Sequence, residues 1–320
     1  MRRMKTKFAV FVLILLSALL IAELMSPALG CKRSDFESVI ETSQQVIYIR
    51  TDGNIDPSTA PIRRDGNRYT FTGDIDAQVV VDKDNIVIDG AGYSLNGPYN
   101  GTQTDLWIIG EGSNETSGSG AQIPWTAGID MRANTRGVTI QNLNIKNFSI
   151  GIWLWTTGNT INGNALTENL VGILLSGVNN TITANSLAKN RDGIFFGANQ
   201  PGDIPTNITL SGNSFVDNSR HLSGCVCEDF NNTETAHTWD DGQTGNFWSG
   251  YVGADSDDDG IGDTPYIVDA LNLDRYPLME NAAVMPTVAP QLPFELIAVM
   301  IVLALIAVVA VLKRPKKNRQ

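Results

Sequence analysis

The sequence predicts an all-β solenoid of short parallel strands, about 21 residues to the coil. Three observations predict it. Residues of one class return at a fixed interval: Ile140, Ile161 and Ile182 are 21 apart, as are Gly151, Gly172 and Gly193, the Ile152, Ile173, Ile194 set and the Leu154, Leu175, Phe196 set. Within each Gly-Ile-x-Leu string the apolar residues alternate with period two, which puts one set on each side of a strand. Polar residues also form columns, with Asn164, Asn185 and Asn213 in one, Asn169, Asn190 and Asn218 in a second, and Thr139, Thr160, Thr181 and Thr209 in a third. The last member of each column comes 28 residues after its predecessor because 197–206 holds an insertion.

A period this short is too small for paired-helix repeats and suits one coil of stacked strands. Coils about 4.8 Å apart let each backbone amide pair with the coil above or below. Stacked asparagines can then bond side chain to side chain, and their tolerance of left-handed backbone angles suits the coil corners.

At these residues the chain resembles the right-handed parallel β-helix of the NosD and CASH (carbohydrate-binding and sugar hydrolase) group, whose coils carry similar N-x-I-x-x-N and G-I-x-L strings. The resemblance spans Val46 to Met279. At the front it rests on Ile47-Tyr48-Ile49-Arg50-Thr51-Asp52-Gly53 and Asn85-Ile86-Val87-Ile88-Asp89-Gly90-Ala91-Gly92, which resemble the opening of archaeal-type, membrane-anchored surface members. At the back, Gly245-Asn246-Phe247-Trp248-Ser249-Gly250-Tyr251, Gly260-Ile261-Gly262-Asp263-Thr264-Pro265-Tyr266 and Asp274-Arg275-Tyr276-Pro277-Leu278 resemble their closing segment. The group includes binding proteins and enzymes, so the resemblance implies a fold and leaves the task open.

Taken in order, residues 1–30 read as a signal peptide: Arg2, Arg3, Lys5 and Lys7 precede an apolar run over 8–22, and Ala28-Leu29-Gly30 is a small-residue cleavage site. The other reading is an uncleaved anchor. Residues 31–68 are expected to cap the open end of the stack, since a bare solenoid end would expose apolar core and strand edges. The β-helix follows over 69–218, its early coils carried by Tyr69-Thr70-Phe71, Val79-Val80-Val81 and Ile86-Val87-Ile88. Its pattern lapses at about 97–125, a Gly-, Ser- and Asn-containing loop insertion with Trp107 and Trp125. A C-terminal cap occupies 219–280, and 281–293, with Pro286, Pro290 and Pro293, reads as a stiff stalk. The apolar stretch 294–312 is long enough for a transmembrane helix, and the basic tail over 313–320 places the C-terminus in the cytoplasm by the positive-inside rule.

The expected topology is therefore a single-pass membrane protein with an extracellular ectodomain. Nine of the 23 basic residues flank the two apolar runs, so the region between them is more acidic than the overall net charge of −11. That balance disfavours nucleic acid as a partner. N-x-S/T sequons begin at Asn100, Asn114, Asn147, Asn179, Asn207 and Asn231, only some of which are expected to carry glycan. Three cysteines exclude a disulfide-stapled fold.

Four constellations could carry chemistry. If Ile152 and Leu154 point inward, Trp153 and Trp155 point outward, and with Phe195, Asp130 and Arg132 they form an exposed aromatic platform of the kind that binds sugar rings. The competing reading is that the 97–125 loop covers them. Asp255, Asp257, Asp259 and Asp263 stand at positions 1, 3, 5 and 9 of a calcium loop with Gly260 at 6 and Tyr266, not Glu, at 12; this points to weak calcium binding or to a solvated acidic turn. His221, Cys225, Cys227 and His237 cluster in sequence, as ligands of copper or zinc would, or as a local disulfide beside unrelated histidines. The family name adds an association with copper delivery, but the chain lacks Met-rich or His-rich strings. No two carboxylates are placed together by the pattern, so no residue is assigned a catalytic role. A carbohydrate-binding or display module is the leading expectation, with a polysaccharide lyase or glycoside hydrolase and a metal-handling accessory protein as alternatives.

Overall fold

A computed structural model describes residues 45–101, 126–131, 135–198, 204–226 and 235–281. Every regular element in them is a strand. The strands stack into three long sheets of eight, seven and six strands that form three walls of one column. A single coil shows the plan. Ile150–Trp155 lies in the first sheet, Thr160–Asn162 in the second and Ala165–Thr167 in the third, and Val171–Ser176 re-enters the first directly above its predecessor.

Register follows the sequence period. Ile152 pairs with Ile173 and Ile173 with Ile194, Ile161 pairs with Ile182, and Leu166 pairs with Leu187. Beyond the insertion the register holds at the longer interval, Thr181 opposite Thr209 and Leu187 opposite Phe215. The inward rows are fully buried and make one continuous core, each such side chain contributing about 1.5–3 kcal/mol by leaving water.

The stack begins earlier than the sequence pattern indicated. Val46–Ile49, in the stretch expected to be cap, pairs in parallel with Gln78–Val81 and is the first full rung of its sheet. Capping falls instead to two antiparallel pieces, Ile55–Asp56 against Val46–Ile49 and Ile62–Asp65 against Arg68–Phe71. Antiparallel closure spends the free edge that a parallel rung would offer to another chain.

Between the outward Ile150 and the inward Ile152 lies Gly151, one of a column with Gly128, Gly172 and Gly193. A Cβ on Gly172 would sit 2.5 Å from the Gly193 carbonyl oxygen and 3.3 Å from Leu187. The column therefore permits close approach of successive rungs. Its final position is His221, opposite Gly193. No further strand of this sheet follows among the described residues, so a side chain fits there.

Two asparagine ladders run up the inside of the corners. Asn164 donates its Nδ2 to Asn185 Oδ1 (3.0 Å), Asn185 to Asn213 (3.0 Å) and Asn213 to Asn246 (3.0 Å), and each acceptor oxygen also takes the backbone N–H of the asparagine before it. The second ladder runs Asn169, Asn190, Asn218 in the same sense. These buried amides are satisfied by one another, as burial of polar groups requires.

The far end closes with aromatic rings. In the third sheet the row Leu166, Leu187, Phe215 continues to Trp248, whose ring stacks on Phe215 (4.4 Å between centroids) and on Tyr266 (4.3 Å). Among the described residues no helix is long and apolar enough to cross a membrane. The expected signal peptide, stalk, transmembrane stretch 294–312 and basic tail lie outside them, as does nearly all of the 97–125 loop.

Candidate functional site

The outer face of the first sheet gathers the residues expected to form the aromatic platform. Trp153 stands between Asp130 on the preceding rung and Leu174 on the next, and Phe195 follows Leu174. Period-two alternation holds from Ile152 onward, with Ile152 and Leu154 in the inner core and Trp153, Leu174 and Phe195 in a second, outer cluster; it breaks at Gly151, so that Ile150, like Ala127 and Val171, joins the outer cluster.

The expectation of an open platform is corrected here. Trp153 is 6% exposed, Phe195 5% and Leu174 2%, so the middle of this face is buried. Alternation assigns a side of the sheet and says nothing of what lies beyond it. Trp155 alone of the aromatic set keeps partial exposure, its ring 6.1 Å from that of Trp153 and inclined by 35°. Asp130 is buried too, at 2%, and accepts a hydrogen bond from Gln78 Nε2 at 3.0 Å. Arg132 lies outside the described residues.

Each of the other buried carboxylates is tied to a cation or to amides. Asp192 takes a two-pronged bond from Arg220, at 2.5 and 2.9 Å. Asp240 is held the same way by Arg275, at 2.9 and 2.6 Å, and that guanidinium, ahead of the opposing effect of burial, keeps its pKa below the ordinary value. Asp89 meets Arg68, Gln141, Asn142 and the Ala91 N–H; burial alone would raise its pKa, but the hydrogen bonds prevail and hold it low. A general acid needs a carboxyl free to exchange its proton with a substrate. These carboxylates are instead structural ties.

In the acidic loop, carboxylate oxygens of Asp255, Asp257 and Asp259 lie within 4.8 Å of one another. Asp263 is not in this trio: its Oδ2 accepts from the Ser256 N–H and hydroxyl, at 3.1 and 2.6 Å. Asp255 accepts the N–H groups of Asp259 and Gly260, and Gly260 takes a φ of +85° at the sharp turn. The donor set is all oxygen, which fits a hard cation. Position 12, where an EF-hand places its bidentate Glu, is Tyr266, whose ring closes the core against Trp248.

Of the sulfur and imidazole cluster, the structure places the two histidines. His237 stacks on Phe196, with ring centroids 5.3 Å apart and planes 10° apart. His221 tilts against Phe215 and Trp248, at 6.0 and 6.1 Å. Both rings thus pack against the aromatic closure, and burial lowers both pKa values. Cys225 lies on the strand Arg220–Val226, and Cys227 falls outside the described residues.

His221 also sits beside a serine, with Nε2 3.4 Å from Ser249 Oγ and Nδ1 3.5 Å from Asn218 Nδ2. The polarity is wrong for a nucleophilic triad. Asn218 Oδ1 is taken by Asn190 and its Nδ2 donates to the Leu187 carbonyl, which fixes the amide with its donor toward the ring. Nδ1 must then accept, the proton stays on Nε2, and the imidazole cannot take one from Ser249.

Sequence reasoning missed the end of the first ladder. Asn246, 33 residues after Asn213, passes it on to Asp274, which is wholly buried. Asp274 accepts from the Asn246 N–H (2.6 Å), Asn246 Nδ2 (3.3 Å), Trp248 Nε1 (3.0 Å) and the Tyr276 N–H (3.1 Å). Burial pushes its pKa up, against the pull of those bonds. A carboxylate is an acceptor only, so it can end a chain of donors that all point one way.

Residues 99–237 match a family model described as the right handed beta helix region. The described rungs within this stretch stack in parallel, consistent with that description. No curated protein matches the chain.

Proposed function

We propose that the protein is a carbohydrate-binding module displayed at the outer cell surface, anchored through 294–312, as in the membrane-bound relatives of NosD and CASH type. The observation that carries this reading is Trp155: a partly exposed indole held beside a buried neighbour, Trp153, at the rim of an apolar cluster on the outer sheet face. A flat aromatic surface of fixed orientation binds the C–H face of a sugar ring at little cost in side-chain entropy. Right-handed β-helices are a common scaffold for polysaccharide recognition and cleavage. Binding is favoured over cleavage because the buried carboxylates, Asp89, Asp130, Asp192 and Asp240, are each engaged in ties within the protein.

The acidic loop takes one calcium ion through Asp255, Asp257 and Asp259, weakly, and stiffens the closing segment. A glycan array probed with the purified full chain, followed by analysis of the bound glycans for shortened or unsaturated products, tests the reading. Binding without products supports it; cleavage makes the protein a lyase or hydrolase, and no binding removes the carbohydrate assignment.

A further inference from the structure

Three of the sequons lie wholly within described residues, at Asn147, Asn179 and Asn207, and the structure distinguishes them. At the first, the acceptor is half-buried and its Ser149 is 7% exposed, so the hydroxyl that a glycosyl transferase must read is hidden. The other two share one surface corner on successive rungs. That corner column runs Gly137, Gly158, Asn179, Asn207, with φ of +66°, +71°, +58° and +51°. Glycine opens it and asparagine continues it because both accept the left-handed conformation. The turn throws both asparagine side chains outward, and both are exposed, while Asn180 and Ile208 behind them are fully buried. Thr181 and Thr209, the third members of the two sequons, pair on adjacent strands with partly exposed side chains.

The two asparagines are not equivalent. Asn207 donates its Nδ2 to Asn179 Oδ1 at 2.6 Å, whereas Asn179 Nδ2 meets no acceptor among the described residues. The nucleophilic atom is therefore engaged at Asn207 and open at Asn179. Two glycans rooted one rung apart, about 4.8 Å, would also compete for the same space.

We propose that this corner is a single N-glycosylation site, with Asn179 as the acceptor and Asn207 excluded while Asn179 is occupied. The inference rests on export of the chain, part of the reading above, and is independent of any carbohydrate binding by the protein. The donor is a polyisoprenyl phosphate- or diphosphate-linked oligosaccharide. Asn179 Nδ2 bonds to C1 of its first sugar as the bond from C1 to the phosphate oxygen breaks; the amide proton passes to a base of the transferase, and the lipid phosphate leaves.

The test is glycopeptide mass spectrometry on the full chain produced in a host that N-glycosylates exported proteins, alongside Asn179→Ala and Asn207→Ala. Removal of residues 1–30, or surface accessibility to protease in intact cells, reports export separately. The expected result is glycan on the Asn179 peptide, none on the Asn147 and Asn207 peptides, transfer to Asn207 in Asn179→Ala, and no change in Asn207→Ala. Glycan on both Asn179 and Asn207 of one molecule, glycan on Asn147 with Asn179 bare, or an exported chain bare at all three overturns the proposal. A chain retained inside the cell defeats the export reading and this site with it.

Discussion

Asn246 gives both its backbone N–H and its side-chain Nδ2 to the same carboxylate oxygen of Asp274, at 2.6 and 3.3 Å. Every amide below points its donor toward that carboxylate, so the positive ends of the ladder dipoles face the one buried anion at its end. The close approach needs Gly245, since a Cβ there would lie 1.7 Å from Asp274 Oδ1. Asp274→Ala strands the Asn246 N–H, Trp248 Nε1 and the Tyr276 N–H, whereas Asn246 Nδ2 keeps the Leu210 and Trp239 carbonyls; it is expected to lower the unfolding free energy by about 3–5 kcal/mol, at 1–3 kcal/mol per buried unpaired donor. Asp274→Asn keeps the shape but sets an N–H₂ against a donor, for a loss of about 1–3 kcal/mol. Urea midpoints of the two variants check the order.

Gly172→Ala forces a methyl group against the next rung, with the Gly193 oxygen 2.5 Å away as backbone that cannot swing aside. The expected cost is about 1–3 kcal/mol or more, as for overpacking of a tight core. A substitution to Ala at Gly158, where a Cβ meets nothing but φ is +71°, costs only the left-handed penalty of about 1 kcal/mol. Thermal unfolding of the pair separates close approach from backbone conformation.

His221 and His237 are both held below their ordinary pKa of 6.5 by burial, with Asp217 and Asp269 respectively pulling upward. The unfolded chain then binds more protons than the folded one as pH falls through 6.5, so stability declines with acidification in that range. Further down, Asp240, lowered chiefly by Arg275, stabilises the fold above 3.8 and loses that contribution as pH drops through its folded value. Denaturation curves from pH 8 to pH 5 should show the first loss, and His221→Gln together with His237→Gln should flatten it.

How much of this was legible in the sequence depended on the interval. Where the period is 21, or 28 across the insertion, the residues alone predicted the rungs, the inward rows and the asparagine columns. Asn246 and Asp274 extend the first column at intervals of 33 and 28, inside a closing segment with no repeat to count from. His221 is the next position in the Gly151, Gly172, Gly193 column at the 28-residue interval, where the repeat has a histidine in place of glycine and so no glycine to mark it. The aromatic platform failed differently. Alternation correctly turned Trp153 and Phe195 outward, but a strand pattern carries no record of whether an outward face meets water.

Calcium at about 10 mM, tenfold over a Kd of about 1 mM typical of weak extracellular sites, should stabilise the protein by about 1.4 kcal/mol. Asp257→Asn should abolish the shift without disturbing the bonds that Asp255 and Asp259 make to the loop backbone. Magnesium, which demands a smaller octahedral shell, should not substitute. Differential scanning calorimetry with each ion reads this directly.

The carbohydrate assignment is tested most directly by the affinity of Trp155→Ala for whichever glycan the unmodified protein retains, measured by titration calorimetry beside its melting temperature. The account predicts a loss of about five- to 150-fold, the 1–3 kcal/mol of a stacking aromatic, with little change in melting, whereas Trp153→Ala loses stability because its ring is buried. Undiminished affinity in a folded Trp155→Ala protein would contradict it.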